Sequence, residues 1–138
     1  MSNRDESYVI DLCDRVLGLK ASRQHRFEFL RGDSGRTLPV DAYYETNANG
    51  KLVVEYREMQ HSEPVAFFDK RQTCSGCNRA EQRRHYDELR RTVLPQHGIQ
   101  VIELDYSLFE HSGRKRLKRD VPKDLAVIRE ELADFLPL

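Results

Sequence analysis

The run from Leu38 to His61, LPVDAYYETNANGKLVVEYREMQH, constrains the fold of this chain more than any other segment. It divides into two apolar stretches about Asn49-Gly50, a dipeptide that tolerates the positive φ angles of a hairpin turn. The first stretch opens with Asp41, and the second carries Glu55 in a run with Val53, Val54 and Tyr56. An unpaired carboxylate among such neighbours is either desolvated at high cost or driven to a raised pKa. A divalent cation shared by two carboxylates is one way of meeting that cost.

The register of the hairpin decides whether Asp41 and Glu55 can share an ion. A two-residue Asn49-Gly50 turn places Asp41 across from Glu58 and turns Glu55 to the opposite face. A three-residue loop, Ala48-Asn49-Gly50 with Gly50 left-handed, puts Asp41, Glu55 and Arg57 on one face, because strand side chains alternate with period two. The sequence permits both.

At 138 residues the chain is expected to form one domain, 1–138, with a core of ordinary size. Charged residues make up 33% of it, yet 23 basic and 23 acidic residues cancel, which argues against a polybasic binder resting on many phosphate contacts. The basic residues are bunched: Arg79, Arg83, Arg84, Arg90 and Arg91 in one segment, Arg114, Lys115, Arg116, Lys118 and Arg119 in another. No apolar run is long enough for a membrane span, and the polar start MSNRDES lacks a signal core, so a cytoplasmic location is expected. Three cysteines without an export signal argue against a disulfide framework.

Val9, Leu12, Cys13, Val16 and Leu17 recur at helical spacing, which predicts a helix over residues 5–18 stopped by Gly18. Arg26 to Leu30 alternates as a short strand, and two further strands are predicted at 38–46 and 51–59. A connection with little periodicity spans 61–78. Tyr86, Leu89 and Val93 mark a helix over 79–94, ended by Pro95 and Gly98. Ile99 to Tyr106 alternates as a strand, 107–120 reads as a loop, and Leu125, Ile128, Leu132 and Phe135 predict a closing helix after Pro122. The order αβββαβα describes an α/β fold, a mixed sheet flanked by helices.

Pro39-Val-Asp41, Val53-Val-Glu55 and Gln60-His61 together resemble the PD-(D/E)XK nuclease superfamily, especially its very-short-patch repair endonuclease branch. The resemblance continues through Pro64-Val-Ala-Phe-Phe68, Tyr86-Asp87-Glu-Leu-Arg90 and His97-Gly-Ile-Gln-Val-Ile102, and covers roughly residues 5–106. It implies a restriction-endonuclease-like αβββαβ core, a mixed sheet of about four strands plus a C-terminal helix. It also implies a magnesium-dependent (or manganese-dependent) DNA endonuclease, acting in repair or restriction, with Asp41 and Glu55 holding the ion. DNA is then the partner, and a homodimer would suit cleavage of both strands.

The third motif position, usually lysine, is Arg57. An arginine stabilises phosphoryl charge but stays protonated and cannot serve as a base. Glu58 and Gln60 form an alternative acid-x-Gln pattern, and His61 is a candidate acid, base or phosphate contact. The competing reading is a weak or inactive member of the fold that binds nucleic acid or a protein partner.

Other residues have plainer readings beside the functional ones. Asp87 lies four residues from both Arg83 and Arg91, the spacing of ordinary helix ion pairs. Glu6 suits a helix first turn, where an acid complements the dipole, and related nucleases often place an extra acid there. Arg83, Arg84 and the cluster Arg114, Lys115, Arg116, Lys118 and Arg119 are candidate phosphate contacts or solvated surface. Cys74-Ser-Gly-Cys77 has zinc-knuckle spacing but no second pair; His61, His85 or His97 would have to complete the shell, so two free thiols are expected rather than zinc.

Overall fold

The computed structural model describes residues 4–46, 50–57, 79–113 and 116–136. A helix α1 (Arg4–Leu17) leads into three strands, β1 (Ser22–Arg31), β2 (Thr37–Thr46) and β3 (Gly50–Arg57). Helix α2 (Arg79–Gln96) precedes β4 (Ile99–Asp105), a 3-10 turn at Tyr106–Leu108 and helix α3 (Val121–Glu131). The sheet order is β1-β2-β3-β4; the first three strands are antiparallel, and β4 runs parallel to β3. A parallel neighbour requires a crossover, and α2 lies in it.

Helices cover both faces of the sheet. α1 and α3 pack on one face, over Ala42, Tyr44, Leu52, Val54, Tyr56 and Leu104. α2 packs on the other through Leu89, Val93 and Leu94, over Leu38, Val40, Val53, Ile99 and Val101. Burial from both sides explains why β3 reads as a continuous apolar run rather than an alternating one. No helix among the described residues is long and apolar enough to cross a membrane.

The predicted elements match in kind and differ at their ends. β1 begins at Ser22, earlier than its alternation suggests, because the polar stretch Ser22 to His25 is held by its ladder with Tyr43, Ala42 and Val40. Arg23 adds ion pairs to Asp11 and Asp14 of α1. Pro95 lies inside the last turn of α2 instead of ending it. There its missing N–H is tolerated, since the turn closes with 3.0 Å bonds from His97 N–H to the Leu94 carbonyl and from Gly98 N–H to the Pro95 carbonyl. Gly98 then leaves the helix with φ of 76°.

The hairpin adopts neither predicted register. Ala42 pairs with Val54 and Thr46 with Gly50, which sets Asp41 directly opposite Glu55, one step beyond the last ladder pair. The side-chain parity is that of the three-residue reading, and Gly50 is left-handed at φ 79°.

A second irregularity falls at the same level of the sheet. Leu38 and Val40 join the core beneath α2, whereas Ala42 and Tyr44, of the same parity, join the core beneath α1 and α3. β2 therefore changes face at Asp41. Across from it on β1, Gln24 has φ of 52°, a conformation that side-chain-bearing residues seldom adopt. Both strands thus bend at this level, and such strain is retained where surrounding structure enforces it.

Candidate functional site

The β2–β3 ladder stops at Ala42–Val54, and carboxylates take over from carbonyls. The Asp41 N–H donates to Glu55 Oε2 at 2.6 Å, and the Tyr56 N–H donates to Asp41 Oδ2 at 2.8 Å. Each acid thereby accepts a backbone hydrogen from the opposite strand. The two carboxylates sit between strands that would otherwise bond to each other, fixed by main chain rather than by mobile side chains.

Glu55 is almost fully buried, at 2% exposure. Its other oxygen, Oε1, faces Arg57 Nη1 at 3.1 Å and Arg90 Nε at 3.5 Å. Burial, reinforced by the charge of Asp41, pushes the Glu55 carboxyl up to about 7, against the pull of Arg57 and Arg90. Burial and then the charge of Glu6 push Asp41 up to about 6, against the Tyr56 N–H and the same two arginines. Glu6, in the first turn of α1, also accepts a hydrogen bond from Gln24, the strained residue opposite Asp41. Glu6 thus stands in the first turn of α1 with its charge felt at Asp41.

Arg57 lies two residues beyond Glu55 on β3, with its guanidinium turned inward. Besides Glu55 it meets Glu103 Oε1 at 2.9 Å and Asp87 Oδ1 at 3.3 Å. The sequence reading offers this arginine for phosphoryl charge; in the structure three carboxylates of the protein hold it. Asp87 also reaches beyond its own helix: it pairs with Arg90, three residues on, at 3.0 Å and with Arg57 of β3 at 3.3 Å. Its burial on the sheet side of α2 is the physical reason.

Three participants were not found by sequence reasoning. Arg90 donates from Nε and Nη2 to the Pro39 carbonyl at 3.1 and 3.0 Å, pinning α2 to the strand that carries Asp41. Glu103 neighbours Glu55 on β4, and Arg91 grips both of its oxygens at 2.8 and 2.9 Å. Burial alone would raise Glu103, but the Arg91 hydrogen bond and the charge of Arg57 outweigh it, so its carboxyl lies below the usual range. A signal existed for two of them: Arg90 follows Asp87 at i+3, and Glu103 is an acid within the apolar alternation of β4.

The basic candidates separate. Arg83 and Arg84 are exposed on α2, one turn before Asp87. Arg116 and Lys118 are also exposed. Arg119 is committed elsewhere: it reaches Asp5 Oδ1 at 3.1 Å and covers the Tyr8 ring, 5.0 Å from its centroid. The Leu117 N–H donates to Asp5, which anchors this loop on the first turn of α1, next to Glu6. Glu58, Gln60, His61, Cys74, Cys77, Arg114 and Lys115 lie outside the described residues.

Among the described residues no three acid, histidine or cysteine side chains form a metal centre by themselves. The pair Asp41 and Glu55 nevertheless fits a hard divalent ion as the protein's share of its shell. Both offer carboxylate oxygens, the donors such ions take. Asp41 forms no ion pair with a described residue, and its Oδ1 accepts no hydrogen bond from one. At Glu55 two guanidinium groups already stand where positive charge is needed.

No family model matches the sequence, and neither a curated protein nor a solved structure matches the chain.

Proposed function

We propose that this chain is a metal-dependent DNA endonuclease of the PD-(D/E)XK kind, with a restriction-endonuclease-like core formed by α1, β1–β3, α2 and β4. The observation that carries this reading is the exchange of backbone bonds between Asp41 and Glu55. Two acids fixed side by side at a break in the sheet, each with a raised pKa, form a centre of excess negative charge that suits a cation.

Asp41 and Glu55 would hold magnesium or manganese, with Glu6 adding negative charge from α1. When bound, the ion supplies Lewis-acid stabilisation of the charge that develops on the phosphate. The chain's own contribution is positional. The Tyr56 N–H fixes the Asp41 carboxylate, the Asp41 N–H fixes Glu55, and Arg90 holds the Asp41 strand against α2. Arg57 keeps its proton, since Glu55, Asp87 and Glu103 outweigh the effect of burial, so it takes no proton from water. That role falls to His61 or Glu58. Arg83, Arg84, Arg116 and Lys118 are exposed cations for the DNA backbone.

The contacts of Arg57 and Arg90 with Glu55 favour one second reading, a member of the fold that binds nucleic acid or a protein partner without cutting it. Incubating supercoiled plasmid, nicked duplex and branched DNA with the protein in magnesium or manganese separates the two. Cation-dependent nicking that stops with EDTA supports the nuclease. Binding without cleavage of any of these forms supports the second reading.

A further inference from the structure

Arg57 distributes its guanidinium unequally. One nitrogen, Nη1, lies 3.1 Å from Glu55 Oε1. Nε and Nη2 lie 3.0 and 2.9 Å from Glu103 Oε1, and Nη2 is also 3.3 Å from Asp87 Oδ1. Nη1 hydrogen-bonds Glu55 and Nε hydrogen-bonds Glu103, while Nη2 stands within ion-pair distance of Glu103 and Asp87 without a hydrogen bond to a described residue, so part of its pairing is independent of Glu55. A planar fork can release one partner and keep the others, which a single ammonium does less readily. The side chain is 11% exposed, so its charge acts at short range with little screening by water. Arg90 differs: its hydrogen bonds go to the Pro39 carbonyl and Asp87, and it meets Glu55 only at 3.5 Å.

Building on the metal-binding reading above, we propose that Arg57 is a resident counter-ion that competes with a divalent cation for Glu55, and that Asp87 and Glu103 are positioning residues that keep it paired when the cation enters. Arg57 thus occupies the lysine position without that residue's chemistry. It shields Glu55 from an uncompensated charge in the metal-free protein, and it sets how tightly the metal binds. Asp87 and Glu103 approach it from different elements, α2 and β4, so the packing of α2 on the sheet feeds into metal affinity.

The test is the affinity for Mn2+ alone, measured by calorimetry and by the loss of the free-ion paramagnetic resonance signal, so no cleavage is required. Arg57→Gln should bind Mn2+ roughly tenfold more tightly than the natural protein, because a short-range competing charge is gone. Asp87→Asn should bind it several-fold more weakly, because Arg57 loses one alternative partner and rests more fully on Glu55. Arg129→Gln, an exposed α3 residue, controls for net charge and should leave the affinity unchanged. Circular dichroism establishes that each variant folds, and Asp87→Asn decides the matter if Arg57→Gln does not. Mn2+ affinity unchanged or weakened in Arg57→Gln, or unchanged or tightened in Asp87→Asn, overturns the proposal while leaving the metal site standing. No binding by either the natural protein or Arg57→Gln at millimolar Mn2+ overturns the proposal and the metal site together.

Discussion

Glu55 and Glu103 stand side by side on parallel strands, and the single guanidinium of Arg57 spans them, 3.1 Å from one and 2.9 Å from the other. The two acids nevertheless titrate in opposite senses. Glu103 is lowered by Arg91 and Arg57, while Glu55, more deeply buried and next to Asp41, is raised.

These shifts set how stability depends on pH. Asp41 rises from 3.8 to about 6 and Glu55 from 4.5 to about 7, so between those limits the folded state binds more protons than the unfolded one. Their contribution therefore drains away as pH increases through that window, and the loss is complete above it. Glu103 acts the other way: its contribution is present above its unfolded value and is lost as acid titrates the folded carboxyl. Urea denaturation of the metal-free protein should show stability falling from about pH 5 to about pH 8, and magnesium should raise the midpoint more at about pH 8 than at about pH 5.5. A flat profile would mean that the two carboxylates are not strained by burial.

The turn between β1 and β2 is fitted to α2. A Cβ at Gly32 would lie 2.8 Å from Tyr86 Cζ, and the Tyr86 hydroxyl accepts the Asp33 N–H at 3.3 Å. Gly32→Ala should cost about 1–3 kcal/mol by overpacking. Combined with Tyr86→Ala it should cost less than the sum of the two single changes, since the clash disappears with the ring. Additive losses in a double-mutant cycle would contradict this packing.

Much of the fold was legible because periodicity reports burial. The stripe of Val9, Leu12 and Cys13 describes a helix with one buried side, and β4 sends Ile99 and Val101 into one core and Leu104 into the other. What stayed hidden was set by groups far apart in sequence. The register of Asp41 against Glu55 depends on side chains replacing ladder carbonyls, and neither turn chemistry nor parity encodes that. The polar start of β1 shows no alternation because Ser22, Arg23 and Gln24 are all exposed, so neither face is buried there. Asp87 reads as a surface acid from its helix spacing alone; only the sheet packed beneath α2 reveals that it faces Arg57.

A partly buried polar contact joins α1 and α3. The Tyr8 hydroxyl donates to Asp124 Oδ2 at 2.5 Å, and Asp124 is 2% exposed. Burial first, and the bond to Asp124 second, push the Tyr8 hydroxyl well above its ordinary range, so it stays protonated as a donor. Tyr8→Phe should lower stability by about 1–2 kcal/mol, read by urea denaturation, because a buried carboxylate loses a donor. An unchanged midpoint would show that the Asp120 N–H, which also donates to Asp124, satisfies it alone.

On the proposed reading, a chain with equal numbers of acidic and basic residues holds DNA through local patches. Neutralising Arg83 and Arg84 together, or Arg114, Lys115 and Arg116 together, should weaken binding uniformly across sequences. Each lost phosphate contact should reduce the salt slope by roughly one unit. A slope unchanged in both variants would place the DNA on another face.

The most direct test of the account is the rate of cation-dependent plasmid nicking by the natural protein and by Asp41→Asn and Glu55→Gln. Both amides keep an oxygen that can accept the opposing N–H, so the strand break survives while the negative charge does not. The account predicts nicking by the natural protein, a fall of about 10³-fold or more in each variant, and unchanged circular dichroism. Equal nicking by all three proteins, or none by the natural protein in magnesium or manganese on any DNA form, would contradict it.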